Sequence, residues 1–127
     1  MSTINTDMKI MGPGIWHILH TSAVYCTDEQ KMDEFERLLE IVKKTIRCDE
    51  CRKDLQDFID KNPLLPYRNV KSKKNEMVGY YIWTHKLHNH VNKKLGKKEL
   101  DLTDTYQYYA GNTVCFACLY QQIKNLQ

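Results

Sequence analysis

Apolar residues recur three and four positions apart along most of this chain, and nowhere do they alternate in the two-residue rhythm of a strand. Phe35, Leu38, Leu39, Val42 and Ile46 predict an amphipathic helix over 28–46, with Thr27 and Gln30 placed as its capping box. Ahead of it, Ile15, Leu19 and Ala23 form one stripe and Trp16, His20 and Val24 a neighbouring one, which predicts a first helix over 13–25 opened by Gly12-Pro13. Leu55, Phe58 and Ile59 predict a third helix with Cys48 to Cys51 in its first turn and Lys61-Asn62-Pro63 at its end. The segment from there to 75, with Pro66 and three lysines, reads as a loop. Met77, Tyr81, Leu87, Val91 and Leu95 predict a fourth helix over 76–95 with Gly96 as its C-cap. Residues 103–110 and 113–125 read as a short fifth helix and a helical tail. The expected fold class is all-α: a four-helix bundle plus a short fifth helix and a helical C-terminal tail.

A chain of 127 residues supports one core, so a single domain over 1–127 is expected, with its core at about 10–112 and its tail at 113–127. The net charge is +3, with much of the positive balance in Lys71, Lys73, Lys74 and in Lys93, Lys94, Lys97 and Lys98. That is too modest and too local for a nucleic-acid binder, and it suits a small anionic ligand better. Met1 to Lys9 carries no apolar core of an export signal, and no stretch approaches the roughly 20 apolar residues of a membrane span.

Five cysteines remain, Cys26 alone and the pairs Cys48/Cys51 and Cys115/Cys118. A CxxC pair suits a dithiol catalyst because two sulfurs one helical turn apart close a small ring and store two electrons reversibly. A helix N-terminus adds to this by favouring negative charge, which lowers a thiol's pKa. The competing reading joins both pairs as the four thiolates of a zinc-binding interaction module. Cys51 and Cys115 stand far apart for the halves of a compact zinc knuckle, with helix rather than ribbon between them. No metal is expected.

His88, Asn89 and Asn92 fall on successive turns of the fourth helix and place an imidazole and two amides in a row, an arrangement suited to an extended heterocyclic ligand. The lysines just beyond can serve a diphosphate or simply form a solvated charged face. The glycines never fall into GxGxxG or a P-loop, and with no strands a Rossmann or thioredoxin-like fold is excluded.

Gly12-Pro13-Gly14-Ile15-Trp16, Leu19-His20-Thr21, Cys48-Asp49-Glu50-Cys51 and Leu87-His88-Asn89-His90-Val91-Asn92-Lys93-Lys94-Leu95-Gly96-Lys97 together resemble, in order and spacing, the Erv/ALR family of FAD-linked sulfhydryl oxidases. The resemblance covers about 10–100. It implies a helical bundle holding FAD, usually as a homodimer, with the isoalloxazine against the CxxC. Gly12, Trp16, His20, Tyr25, Cys51, His88, Asn89, Val91, Asn92, Leu95 and Lys97 are the cofactor-binding residues it implies, and Trp83 matches a family tryptophan. Two departures stand out. A structural disulfide common in cellular members falls on Ile59 and Leu102, and the tryptophan-rich segment after the cofactor helix is replaced by Tyr106, Tyr108 and Tyr109. The small size and the missing disulfide look more like the compact members of large DNA viruses, which points to a host cytoplasm or a virion ahead of the mitochondrial intermembrane space.

The activity so implied is oxidation of thiol-containing protein substrates to disulfides with dioxygen as acceptor, giving hydrogen peroxide. Cys51 is then the flavin-proximal thiol and Cys48 the interchange thiol. Cys115 and Cys118 become a shuttle pair on a mobile tail, or else a static disulfide that pins it. Cys26 reads as a buried thiol at the end of the first helix.

Overall fold

The computed structural model describes residues 3–126. Helix α1 spans Thr3–Val24 and runs straight through Gly12-Pro13, so the proline does not open it as its position suggests. Proline forfeits one intrahelical donor and crowds the turn before it; here the backbone is already helical on its N-terminal side, and Pro13 marks no boundary. Helix α2, Glu29–Thr45, is capped by Asp28, whose carboxylate accepts from the backbone N–H of Lys31 at 2.9 Å. The capping box on Thr27 is therefore displaced by one residue, and the Thr27 hydroxyl instead accepts from the Lys31 ammonium at 3.2 Å.

Helix α3, Asp49–Lys61, starts on Cys48 as its N-cap, with Asp49 and Glu50 in a first turn where negative charge complements the helix dipole. Between it and the next helix, Leu65–Asn69 winds into a 3₁₀ turn inside the segment expected as loop. The chain then doubles back: Lys71 and Met77 form an isolated antiparallel bridge around Asn75, which sits at φ 66°. Because of this reversal α4 begins at Gly79 and not at 76, and it ends at Lys94. Gly96 at φ 70° closes it: the Gly96 N–H donates to Lys93 at 3.2 Å and the Lys97 N–H to Asn92 at 2.8 Å, a Schellman pair of bonds.

Helix α5, Leu102–Ala110, is capped by Asp101 and terminated by left-handed Gly111. The tail departs from expectation. Residues 112–116 are not helical, Ala117–Leu119 is a 3₁₀ turn, and α6 is only Tyr120–Lys124. Val114, Phe116 and Leu119 are all buried, and no single helix face could present that spacing to the core.

The bundle is built on α1–α4, with α5 against α1 and α4. At its centre lies Trp83, fully buried, edge-on to Phe35 and Phe58 and donating its indole N–H to the carbonyl of Asn62 at 2.7 Å. Arg68 ties the 3₁₀ turn to α2 by bonding Asp33 at 2.9 Å and Glu36 at 3.2 Å. Ile59 and Leu102, where the family disulfide would sit, pack as apolar side chains against the core. No described helix is long and apolar enough to cross a membrane.

Candidate active site

Cys48 and Cys51 are joined as a disulfide, with Cα atoms 5.2 Å apart. Their position follows from the N-cap: Cys48 stops the preceding loop in extended backbone, and its Sγ accepts from the Cys51 N–H at 3.1 Å. On reduction that N–H and the helix dipole both favour a thiolate at Cys48. The two sulfurs differ in access. Cys48 is 4% exposed, whereas Cys51 is half-buried in the wall of a cavity of about 280 Å³. The Arg52 side chain reaches back to the carbonyl of Ile46 at 2.8 Å and to Asp49, bracing the loop that covers Cys48.

The cavity is mostly apolar. Ile15, Trp16 and Leu19 of α1, Val42 and Ile46 at the end of α2, Leu55 of α3 and Leu87 and Val91 of α4 line it, with Leu95 and Gly12 at its edges. Glu50, Asp54 and Lys94 supply the polar part of the lining. Asp54 bonds Lys94 at 2.7 Å and His90 at 3.2 Å; burial works to raise its pKa, but these two partners win and hold it below the usual carboxylate value. A volume near the lower end of the roughly 300–1,000 Å³ typical of ligand pockets suits a flat fused ring and not a whole dinucleotide. The donor set fits such a ring: broad apolar walls, a tryptophan, and one redox-active sulfur.

Beside the cavity the histidines gather. The Trp16 indole lies flat on the His88 imidazole, centroids 4.0 Å apart and planes 8° off parallel. His20, fully buried, bonds His88 at 2.8 Å, and Tyr109 covers it at 4.9 Å. Burial, then the neighbouring His88, pulls the pKa of His20 down to about 3; burial, then His85, pulls that of His88 down to about 4. Both rings are neutral at physiological pH.

The structure thus brings Gly12, Trp16, Cys51, Val91 and Leu95 to the cavity and His20 and His88 to Trp16. It uses Asn89 and Asn92 differently. Asn89 donates to the carbonyl of Leu100 at 3.0 Å and accepts the Leu100 N–H at 2.7 Å, and its second donor lies 3.1 Å from His85 Nε2. Asn92 donates to the carbonyl of Lys98 at 3.3 Å. These amides clamp the α4–α5 connection onto α4. Tyr25 is 66% exposed at the end of α1 and away from the cavity. Lys97 is exposed just past Gly96, while Lys94, which the resemblance leaves out, lines the cavity. Thr84 and Tyr109 are further residues missed by motif; their only sequence signal is a helical offset from His88 and the tyrosine run after α4.

Cys115 and Cys118 form a second disulfide, exposed, with Cα atoms 5.3 Å apart. The segment that carries it is anchored: Phe116 packs edge-on to Tyr106, and the Gln122 amide exchanges hydrogen bonds with the backbone of Lys71 at 3.2 and 3.0 Å. Since each pair closes on itself, four thiolates do not converge, and no group of three or more His, Cys, Asp or Glu is gathered as a metal site among the described residues. Cys26 is buried and free, its thiol pushed up to about 12 by burial and then by Asp28, so it stays protonated and unreactive.

A helical bundle in which one cysteine of a CxxC disulfide lines an apolar, ring-sized cavity defines a class of thiol redox proteins. Residues 13–110 match the model of the Erv1/Alr family, and the chain belongs to that family. It is 28% identical over 102 residues to the FAD-linked sulfhydryl oxidase of African swine fever virus, covering 77% of this chain and 78% of the viral one. It is 33% identical over 99 residues to the mitochondrial FAD-linked sulfhydryl oxidase ERV1 of Saccharomyces cerevisiae, covering 75% of this chain and 48% of the yeast protein. The crystal structure of the yeast Erv1 core superposes with a TM-score of 0.62 at 25% identity, covering 78% of this chain and 80% of that one.

Proposed function

We propose that this chain, acting as one unit over 1–127, is an FAD-linked sulfhydryl oxidase that introduces disulfides into protein substrates and passes the electrons to dioxygen, giving hydrogen peroxide. One observation carries the reading: Cys51 of the redox pair lines an apolar cavity of about 280 Å³ that Trp16 also lines, in a family of thiol oxidases. Trp16, Leu19, Leu87, Val91 and Leu95 would hold the flavin ring, and Lys94 and Lys97 offer cations for its phosphates. Bound there, FAD supplies a two-electron acceptor that returns its electrons to dioxygen.

The rest is done by the protein. A substrate thiolate attacks one sulfur of the Cys48–Cys51 disulfide, forming a mixed disulfide and releasing the other as a thiolate. A second substrate thiolate then displaces the protein sulfur. The substrate leaves as a disulfide, and Cys48 and Cys51 are left as a dithiol that carries the two electrons and the two protons of the substrate thiols. Cys51 faces the cavity and serves as the proximal thiol, and Cys48 is the interchange thiol, reached once the loop braced by Arg52 opens. The N-cap hydrogen bond and the helix dipole stabilise the Cys48 thiolate when the second substrate thiolate displaces it from the mixed disulfide. The apolar walls exclude water.

The exposed Cys115–Cys118 pair is the entry point for protein substrates, relaying electrons to Cys48–Cys51 within a subunit or across a homodimer. The exposed apolar side chains Ile18 on α1, Tyr25 just past its end and Ile41 on α2 are available to a partner copy. A host cytoplasm or a virion is the location consistent with the viral relative. Replacing both Cys115 and Cys118 by Ser is expected to spare oxidation of a small dithiol and to slow that of a reduced protein. Equal rates with both substrates in the variant and the parent would remove the relay and leave a disulfide that pins the tail.

The visible spectrum of the purified protein tests the whole reading. A flavin spectrum that bleaches with a dithiol and recovers as oxygen is consumed is expected; a colourless protein that binds no added FAD would end it.

A further inference from the structure

Thr84 is fully buried in α4 and touches neither the cavity nor the cysteines, yet it ends a chain of hydrogen bonds that starts at His88. Its hydroxyl has a single proton, which it donates to the carbonyl of Tyr81 at 2.8 Å, the bond to the preceding turn that helical threonines commonly make. The oxygen can then only accept from the His20 ring 3.2 Å away, so His20 carries its proton on Nδ1. A neutral imidazole protonated on Nδ1 has a bare Nε2. That nitrogen lies 2.8 Å from His88 Nδ1 and must accept, so His88 is also protonated on Nδ1 and its own Nε2 is a bare lone pair. Once the Thr84 hydroxyl is committed to Tyr81 each later step follows from the one before it, and each begins from a neutral ring in an aromatic shell of Trp16, Tyr81 and Tyr109.

We infer that Thr84 is a positioning residue that, through His20, fixes His88 in the Nδ1–H tautomer and so presents Nε2 as a hydrogen-bond acceptor, selecting a ligand with an N–H or O–H donor at that point. His88 Nε2 has no hydrogen-bond partner among the described residues, and it is not among the fully buried polar atoms left without one, so a half-buried ring keeps this nitrogen partly accessible. Trp16 stacked on the ring at 4.0 Å fixes its plane, and the Thr84 relay fixes its polarity. Amino, imide and hydroxyl donors all occur in a flavin dinucleotide, and in that respect the inference rests on the proposed cofactor. A ligand offering only acceptors at this point would meet a repelling lone pair. The relay itself depends on no ligand.

Long-range proton–nitrogen spectra of the purified full-length protein, labelled with ¹⁵N in histidine and recorded at neutral pH with and without FAD, read the tautomers directly. Both His20 and His88 are expected to show a protonated Nδ1 and a bare Nε2. Thr84→Val keeps the shape and removes the acceptor; it should release His20 and His88 to mixed tautomers and weaken FAD binding by about tenfold, the loss of one hydrogen bond. Thr84→Ser keeps the hydroxyl and should restore both readings. A parent protein with His88 protonated on Nε2 overturns the inference, even if no valine variant folds. So does a folded valine variant with unchanged tautomers. If the parent shows the expected tautomers and binds no FAD, the relay stands and the proposed cofactor falls.

Discussion

Cys51→Ser protein is expected to keep its FAD and to oxidise a dithiol no faster than the thiol reacts with oxygen unaided. Cys51 faces the cavity alongside Trp16, Leu87 and Val91, and the cavity's apolar walls survive the substitution, so binding should not depend on the sulfur. Turnover does depend on it, because a serine hydroxyl neither ionises near neutral pH nor closes a disulfide with Cys48. Cys48→Ser should be equally inactive toward dithiols, and the two variants part company in the reactivity of the cysteine left behind. In Cys48→Ser the remaining thiol is half-buried at the cavity wall and should alkylate readily, with added FAD slowing the reaction. In Cys51→Ser the remaining thiol is 4% exposed behind the loop braced by Arg52 and should alkylate slowly whether or not FAD is present. Full activity of Cys51→Ser, or alkylation of Cys51 indifferent to FAD, would overturn its assignment as the proximal thiol.

The cysteine pair was legible because its placement depends on local forces. An N-cap, acidic first-turn residues and the helical period of Leu55 and Phe58 all act within one stretch of chain, and the motif adds Trp16, Val91 and Leu95 to the same cavity. What escaped is what long-range contacts decide. Asn89 and Asn92 sit on the expected helix and also bond the backbone of Leu100 and Lys98, and nothing in a helical wheel shows that the next loop folds back. The contact from His20 to Thr84 spans 64 residues, and neither residue alone has a pattern that announces the other. Met77 keeps step with α4 in spacing but belongs to the reversal before it, where Asn75 turns left-handed and the Ser72 hydroxyl accepts the Glu76 N–H at 3.1 Å. In the tail, the side chains Val114, Phe116 and Leu119 are buried by a loop that helical period cannot describe.

The start of α4 carries the second large effect. Gly79 packs so closely on the 3₁₀ turn that a Cβ added to it would lie 1.7 Å from the carbonyl oxygen of Tyr67 and 3.2 Å from the side chain of Val70. The first of these is backbone, and it has no rotamer into which to retreat. Tyr67 is itself buried, and the turn that holds it is tied to α2 through Arg68, so relief has to come from moving the whole N-terminal end of α4. Gly79→Ala is therefore expected to cost about 3 kcal/mol, the upper end of ordinary overpacking, and to lower the midpoint of thermal unfolding by on the order of 10 °C. The usual gain of alanine over glycine in a helix, about 1 kcal/mol, is too small to offset it. Because Thr84, His88 and Val91 ride on the same helix, the loss of stability should come with weaker FAD binding, while Gly14→Ala, where a Cβ meets nothing within 4 Å, should not destabilise the fold. An unfolding midpoint for Gly79→Ala at or above that of the parent would mean that α4 does not rest on Tyr67, and the path from the 3₁₀ turn to the site would have to be abandoned.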